Sequence, residues 1–192
     1  VKIAGLILAA GESRRMGSPK ALLPYGSESF LDTLIGLFTP RCEPVIVVLG
    51  AHAGQIRAAA TRPATFVVNP DYPLGMTTSL QCGLRAVPAD ADGVLFTLVD
   101  HPAASPATLD LLLAPAASHL VRVPRYQAKR GHPIWFSREL IPEFLALPTD
   151  GPARDVVARH IDRAEYLDLD DPGIVADIDN PEDYRALLGA RA

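Results

Sequence analysis

Ile3-Ala4-Gly5-Leu6-Ile7-Leu8-Ala9-Ala10-Gly11-Glu12-Ser13-Arg14-Arg15-Met16-Gly17-Ser18-Pro19-Lys20 is the stretch that decides the fold. Residues Ile3 to Ala9 form a continuous apolar run, as a strand covered on both faces does. The run empties into a loop holding Gly11, Gly17, Pro19 and the bases Arg14, Arg15 and Lys20. Gly11 lets a ligand approach the backbone closely, and successive N–H groups there can form an anion nest. Arg15 offers a planar forked donor set and Lys20 a compact charge, a pair suited to phosphate oxygens. Together they would bind a triphosphate and stabilise charge developing on it. Lys2 followed by Ile3–Ala10 has the outline of a signal peptide. The run is too short to cross a bilayer and passes straight into charged residues, so it reads as a buried strand.

Outward from this stretch, strand and helix signals alternate. Helical spacing covers residues 28–38. Pro44–Leu49 is a β-branched strand bounded by Pro and Gly50. A short helix over Gln55–Ala60, a strand at Thr65–Val68 and a helix from an N-capping Thr77 to about Val87 follow. Gly93–Val99 is a further buried strand, and Ser105-Pro106 caps a helix running to about Leu113. The later part predicts strands at His119–Val123, Pro133–Phe136 and Ala164–Leu169. It also predicts a helix capped by Ser137 through about Leu145, one around Ala153–His160, and a last helix capped at Asn180-Pro181-Glu182-Asp183. This order predicts an α/β architecture with a mainly parallel sheet. No repeat or linker divides residues 1–192, so one domain is expected. In such sheets ligands bind beyond the carboxyl ends of the strands. Ala9-Ala10-Gly11, Asn69 and Asp100 stand at three such exits.

Composition narrows the partners. The formal charge of −4 gives no expectation of binding to nucleic acid or an anionic membrane. Cys42 and Cys82 stand far apart without a C-x-x-C, which excludes a disulfide scaffold and cysteine zinc motifs and suits a reducing cytoplasm. Five bases and no acid occur from Arg122 to Arg138, and nine acids with one base from Asp162 to Asp183. The functional reading of the first run is an anion-binding wall; the second is a cation-binding or solubilising tail. No heptad run points to a dimer, so a monomer is expected. There is no G-x-G-x-x-G, H-E-x-x-H or G-x-S-x-G. Gly11 and Gly17 are spaced one residue too widely for a Walker A loop, and Lys20 is not adjacent to Gly17.

The first stretch resembles the nucleotidyltransferase signature L-A-(A/G)-G-x-(S/G)-x-R-M-G-x-x-K. Four further segments resemble the molybdenum cofactor cytidylyltransferase family. They are Asn69–Leu80 with Gly83-Leu84, Asp100-His101-Pro102, Arg130-Gly131-His132-Pro133, and Asp177–Asp183. The resemblance covers nearly the whole chain in the family's order. It implies a three-layer Rossmann-like sandwich with a mostly parallel central sheet, of the nucleotide-diphospho-sugar transferase type.

The same resemblance implies roles. Leu8, Ala9, Ala10, Gly11 and Ser13 would contact the nucleotide, and Arg15 and Lys20 would hold its phosphates, with Lys20 near the α-phosphate. Gly75 and Ser79 would lie against the base, and Asn69 would belong to the same nucleotide-binding set. Asp100 and Asp179 would bind Mg²⁺, with Asp177 the weaker ligand candidate. His101, Arg130 and His132 would serve the acceptor, a phosphorylated pterin of the molybdopterin type, for delivery to a recipient molybdoenzyme. The expected reaction is attack by the acceptor phosphate on the α-phosphorus of a nucleoside triphosphate, releasing pyrophosphate, with no general base required. Guanylyl relatives carry L-A-G-G, and the methyl of Ala10 narrows the pocket, which favours CTP over GTP. His101 departs from the family's usual Gln.

Three other readings stay open. One is a nucleotidyltransferase acting on an isoprenoid precursor, a sugar phosphate or, with GTP, a pterin. Another is an oxidoreductase of a nicotine-derived pigment, as some similar sequences are. The third is a non-catalytic nucleotide-binding accessory protein.

Overall fold

The computed structural model describes residues 1–115 and 119–189. Its strands are β1 (Ile3–Ala9), β2 (Pro24–Tyr25), β3 (Glu28–Ser29), β4 (Val45–Leu49), β5 (Thr65–Val68), β6 (Gly93–Leu98), β7 (Val121–Tyr126), β8 (Lys129–Arg130), β9 (Ile134–Ser137) and β10 (Ala164–Asp168). Its helices are α1 (Phe30–Phe38), α2 (Ala53–Ala59), α3 (Met76–Arg85), α4 (Pro106–Leu113), α5 (Ile141–Leu145), α6 (Arg154–Arg159) and α7 (Pro181–Gly189). The main sheet runs β10-β7-β9-β6-β1-β4-β5, with β8 paired to β7. Only β9 within that path runs antiparallel to its neighbours. β2 and β3 form a separate hairpin.

Alternation along the central strands explains the layers. In β1 and β4, Ile3, Ile7, Ala9, Val45, Val47 and Leu49 face one core, which α1, α2, α4 and α7 cover. Leu6, Leu8, Ile46 and Val48 face the other, which α3, α5 and α6 cover. Gly83 lets α3 lie close to the sheet, because a β-carbon there would clash with the side chains of Leu6 and Val48. The mostly parallel three-layer sandwich matches the expected fold class.

Several local expectations are corrected. Thr77 does not cap α3. The cap position is Gly75, at φ 127°, and the Thr77 hydroxyl donates to the Gly151 carbonyl instead. Ser137 caps only a 3-10 turn at Arg138–Leu140, and α5 begins after it. Pro142 has no N–H to donate back along a continuous helix, which accounts for the break. β7 extends to Tyr126 rather than ending at Val123, and the short β2–β3 hairpin is an addition.

The run from Arg122 to Arg138 is not one wall. Arg122 is buried, bonds Glu165 at 2.5 Å and donates to the carbonyls of Leu111, Leu112 and Ala114. It thereby neutralises the C-terminal end of α4, whose last turn holds no base of its own. Arg125 pairs with Asp168, and Arg138 donates to the Pro88 carbonyl.

Candidate active site

Strand register sets the floor of the site. Leu8 lies beside Val48 and Leu98, and Leu49 beside Ala9 and Val68. β1, β4, β5 and β6 therefore end at one level, and their exits share one edge. The chain fills one side of β1 with β4 and β5 before crossing back to β6, which makes the edge beside β1 a topological switch point. A cleft of about 420 Å³ opens there. Leu8, Ala9, Ala10, Gly11, Ser13, Arg15, Lys20, Gly75, Ser79, Asp100 and Asp179 all line it.

Local bonds hold the β1 exit loop in shape. Ser13 adopts a left-handed backbone at φ 53°, and its hydroxyl accepts the Lys20 N–H at 2.9 Å. Its carbonyl closes a turn with the Met16 N–H. The loop thus folds back on itself and delivers Lys20 into the cleft.

Lys20 Nζ donates to Asp100 Oδ2 and to Asp179 Oδ1, both at 2.9 Å. Burial pulls the Lys20 pKa down, but hydrogen bonds and charge from the two carboxylates outweigh it, and the net shift is upward. The hydrogen bond from Lys20 holds Asp179 below the usual carboxylate range, and Arg15, 3.2 Å from its Oδ2, adds to that. Asp179 reaches the cleft because the chain returns after β10. The Ile178 N–H donates to the Asp100 carbonyl, and Ile178 is buried between the flanking Asp177 and Asp179. Beyond it, Asn180 accepts from the Glu182 and Asp183 N–H groups, while Asp183 accepts from those of Asp179 and Asn180. This reciprocal cap anchors α7 and fixes the approach of Asp179.

Five residues named from the sequence lie off the cleft lining: Asp177 and four others. Asn69 is buried behind it and braces α3: its Nδ2 donates to Thr78 and Ser79, and its Oδ1 accepts from the Asp71 N–H. Arg130 is exposed on β8, with its guanidinium over the Tyr166 ring at 5.0 Å. His101 and His132 pack ring on ring, 4.7 Å between centroids, and His101 Nε2 lies 4.0 Å from Asp100 Oδ1, the oxygen that Lys20 does not take. Burial, with a smaller contribution from His101, pushes the His132 pKa down to about 3, so its ring is neutral at neutral pH. Tyr72, Met76 and Ile56 line the cleft without having been expected there. Tyr72 stands inside the Asn69–Leu80 segment that carries the family resemblance. Ile56 carries no comparable signal in the sequence.

A divalent ion fits the donor chemistry. Among the described residues, Asp100 Oδ1 is buried without a hydrogen-bond partner, as is His101 Nδ1. Asp177 is raised by partial loss of solvent and then by the charge of Asp100. Like-charged carboxylates gathered this closely are stabilised by a cation between them.

The model of the MobA-like NTP transferase domain matches residues 5–164. A probable molybdenum cofactor guanylyltransferase of Mycobacterium avium (strain 104) is 32% identical over 100% of this chain and 98% of its own. The molybdenum cofactor cytidylyltransferase of Escherichia coli (strain K12) is 27% identical over 93% and 92%. The crystal structure of Rv0371c from Mycobacterium tuberculosis H37Rv superposes with a TM-score of 0.88 at 34% identity, covering 98% of this chain and 97% of that one. Its complex with manganese gives 0.82 at 32%, covering 99% and 100%. Among the described residues no helix is long and apolar enough to cross a membrane. With a family model spanning most of its length and a relative of this identity matched end to end, the chain belongs to the MobA-like NTP transferase family.

Proposed function

We propose that this protein transfers a nucleoside monophosphate from a nucleoside triphosphate to the phosphate of a molybdopterin-type acceptor, releasing pyrophosphate. The observation that carries this reading is the Lys20 ammonium held between Asp100 and Asp179 in a cleft at the strand exits. An acceptor phosphate oxygen forms a bond to the α-phosphorus as the bond to the pyrophosphate oxygen breaks. The nucleophile is already ionised near neutral pH, so the protein supplies positioning and charge stabilisation rather than a base.

The N–H groups of the Gly11–Lys20 loop and the Arg15 fork grip the phosphates, and Lys20 stabilises charge at the α-phosphate. Gly75 and Ser79 lie against the base, with Ser79 braced by Asn69. Asp100 and Asp179 offer carboxylates to a divalent ion, which when bound neutralises triphosphate charge as a Lewis acid. His101, Arg130 and His132 belong to the acceptor side. Residues 1–192 act as one catalytic domain, as a monomer in the cytoplasm, handing product to a molybdoenzyme.

For the base we favour CTP, because Ala9-Ala10-Gly11 puts a methyl where guanylyl relatives have glycine. A second reading, GTP, is supported by the guanylyltransferase name of the relative matched over the whole chain. Incubation with molybdopterin and equal CTP and GTP, followed by mass analysis of the product, separates them. A cytidine dinucleotide supports the first and a guanine dinucleotide the second. Neither product, with pyrophosphate released on a sugar or isoprenoid phosphate, would reassign the acceptor. Oxidation of NAD(P)H without any transfer would favour the oxidoreductase reading.

A further inference from the structure

Asp100 has two faces. Its Oδ2 is taken by Lys20, while its Oδ1 is buried without a hydrogen-bond partner among the described residues, 4.0 Å from His101 Nε2. One ligand atom each from Asp100, His101 and Asp177 falls within 4.8 Å of the others. His101 is 7% exposed, and its Nδ1 has no partner among the described residues. An unpaired polar group buried to that degree is costly unless something binds it. The His132 ring packs against the His101 ring, 4.7 Å between centroids, and restricts its orientation. Asp177 is exposed, so the cluster opens to solvent and can exchange an ion.

We infer that Asp100, His101 and Asp177 form a mixed nitrogen–oxygen site that takes a transition-type divalent ion of the Mn²⁺ class in preference to Mg²⁺. Ligand distances of about 2.0–2.2 Å put neighbouring donors about 3 Å apart and opposite donors about 4.2 Å apart. The donors, 4.0 Å apart between Asp100 and His101 and within 4.8 Å of one another overall, close on an ion by side-chain shifts of about 1 Å. Mg²⁺ prefers oxygen donors and retained waters, whereas an imidazole nitrogen favours transition ions. The glutamine expected at this position would offer an amide instead, so the histidine sets the metal preference of this chain. Without nucleotide, Lys20 keeps Asp100 Oδ2 and Asp179 Oδ1; when triphosphate draws the ammonium off, Asp179 becomes a further carboxylate for the ion. The inference depends on the nucleotidyl-transfer reading for the ion's use, not for its binding.

The test is Mn²⁺ alone, added to the full chain and followed by electron paramagnetic resonance, with pulsed detection of ¹⁴N coupling. Wild type should show a directly coordinated nitrogen, and ¹⁵N-histidine labelling should convert its signal. His101→Gln should lose the coupling, and both His101→Gln and Asp177→Asn should weaken Mn²⁺ binding about tenfold or more. Asp179→Asn should keep the nitrogen coupling. Mn²⁺ bound without nitrogen coupling in wild type, or no binding at all, overturns the inference. The labelled wild type decides the matter even if a variant fails to fold. Pyrophosphate release measured in parallel separates the two readings. Transfer without nitrogen coupling sinks this inference alone, and coupling without transfer sinks only the proposed function.

Discussion

The Lys20 ammonium lies 2.9 Å from Asp100 Oδ2, across 80 residues of sequence. Removing it leaves Asp100 and Asp179 facing each other without their shared counter-charge, and removes a donor from the cleft. Lys20→Ala should lower kcat/KM for pyrophosphate release by about 10²-fold or more, the usual loss when a positioned stabiliser of developing charge is removed. The Asp179 pKa should rise in the same variant, because its main depressing cause is the Lys20 hydrogen bond. A ¹³C-detected carboxyl titration reads that change.

Asn69→Ala tests bracing rather than contact. The Asn69 amide ties Thr78 and Ser79 to the β5 exit without lining the cleft. Its loss should cost about 1–3 kcal/mol through unpaired partners and raise KM for the nucleotide more than it lowers kcat. A fall in kcat with KM unmoved would show Asn69 acting on the reaction itself.

Acid should expose the contribution of Asp32. Burial alone raises its pKa, but the N–H groups of Arg62 and Thr61 and the hydroxyls of Thr61 and Ser29 outweigh that, and the net shift is downward. The unfolded carboxyl titrates near pH ~3.9. The stabilisation is therefore complete above that value and is lost as pH falls through the lower folded value. Asp32→Ala should be about 2 kcal/mol less stable at neutral pH, with the difference shrinking in acid. Denaturant midpoints at neutral and acid pH measure it, and a constant gap across that range would refute the assignment.

Arg122→Ala separates a strut from a substrate wall. With Glu165 and the α4 carbonyls left unpaired, the variant should lose about 3 kcal/mol of stability. The acceptor KM should stay within twofold in whatever fraction remains folded. Arg130→Glu is the contrast: exposed at the strand-exit edge, its charge reversal should raise the acceptor KM.

The legible parts of the sequence were those with period and punctuation. β1 and β4 are buried on both faces, so their apolar runs declared them, and register alone then carried Ala10, Asn69 and Asp100 to one edge. Lys20 was readable because the loop leaves a buried strand. Arg122 was not, because a run of bases says nothing of which side chain turns inward. Its partners are carbonyls at the end of α4, which have no side-chain signature. Asn69 stood at the right exit, but only the hydrogen bonds reveal that its amide is spent on α3. The β2–β3 hairpin is too short to show alternation, and Pro142 broke a helix that the Ser137 cap had drawn as continuous.

The most direct test of the central claim is pyrophosphate release by wild type, Lys20→Ala and Asp100→Ala, each with a divalent ion, molybdopterin and CTP or GTP. The account predicts release by wild type with one nucleotide, and loss of about 10²-fold or more in both variants. Release that survives in both variants, or no release by wild type despite nucleotide binding, would contradict it.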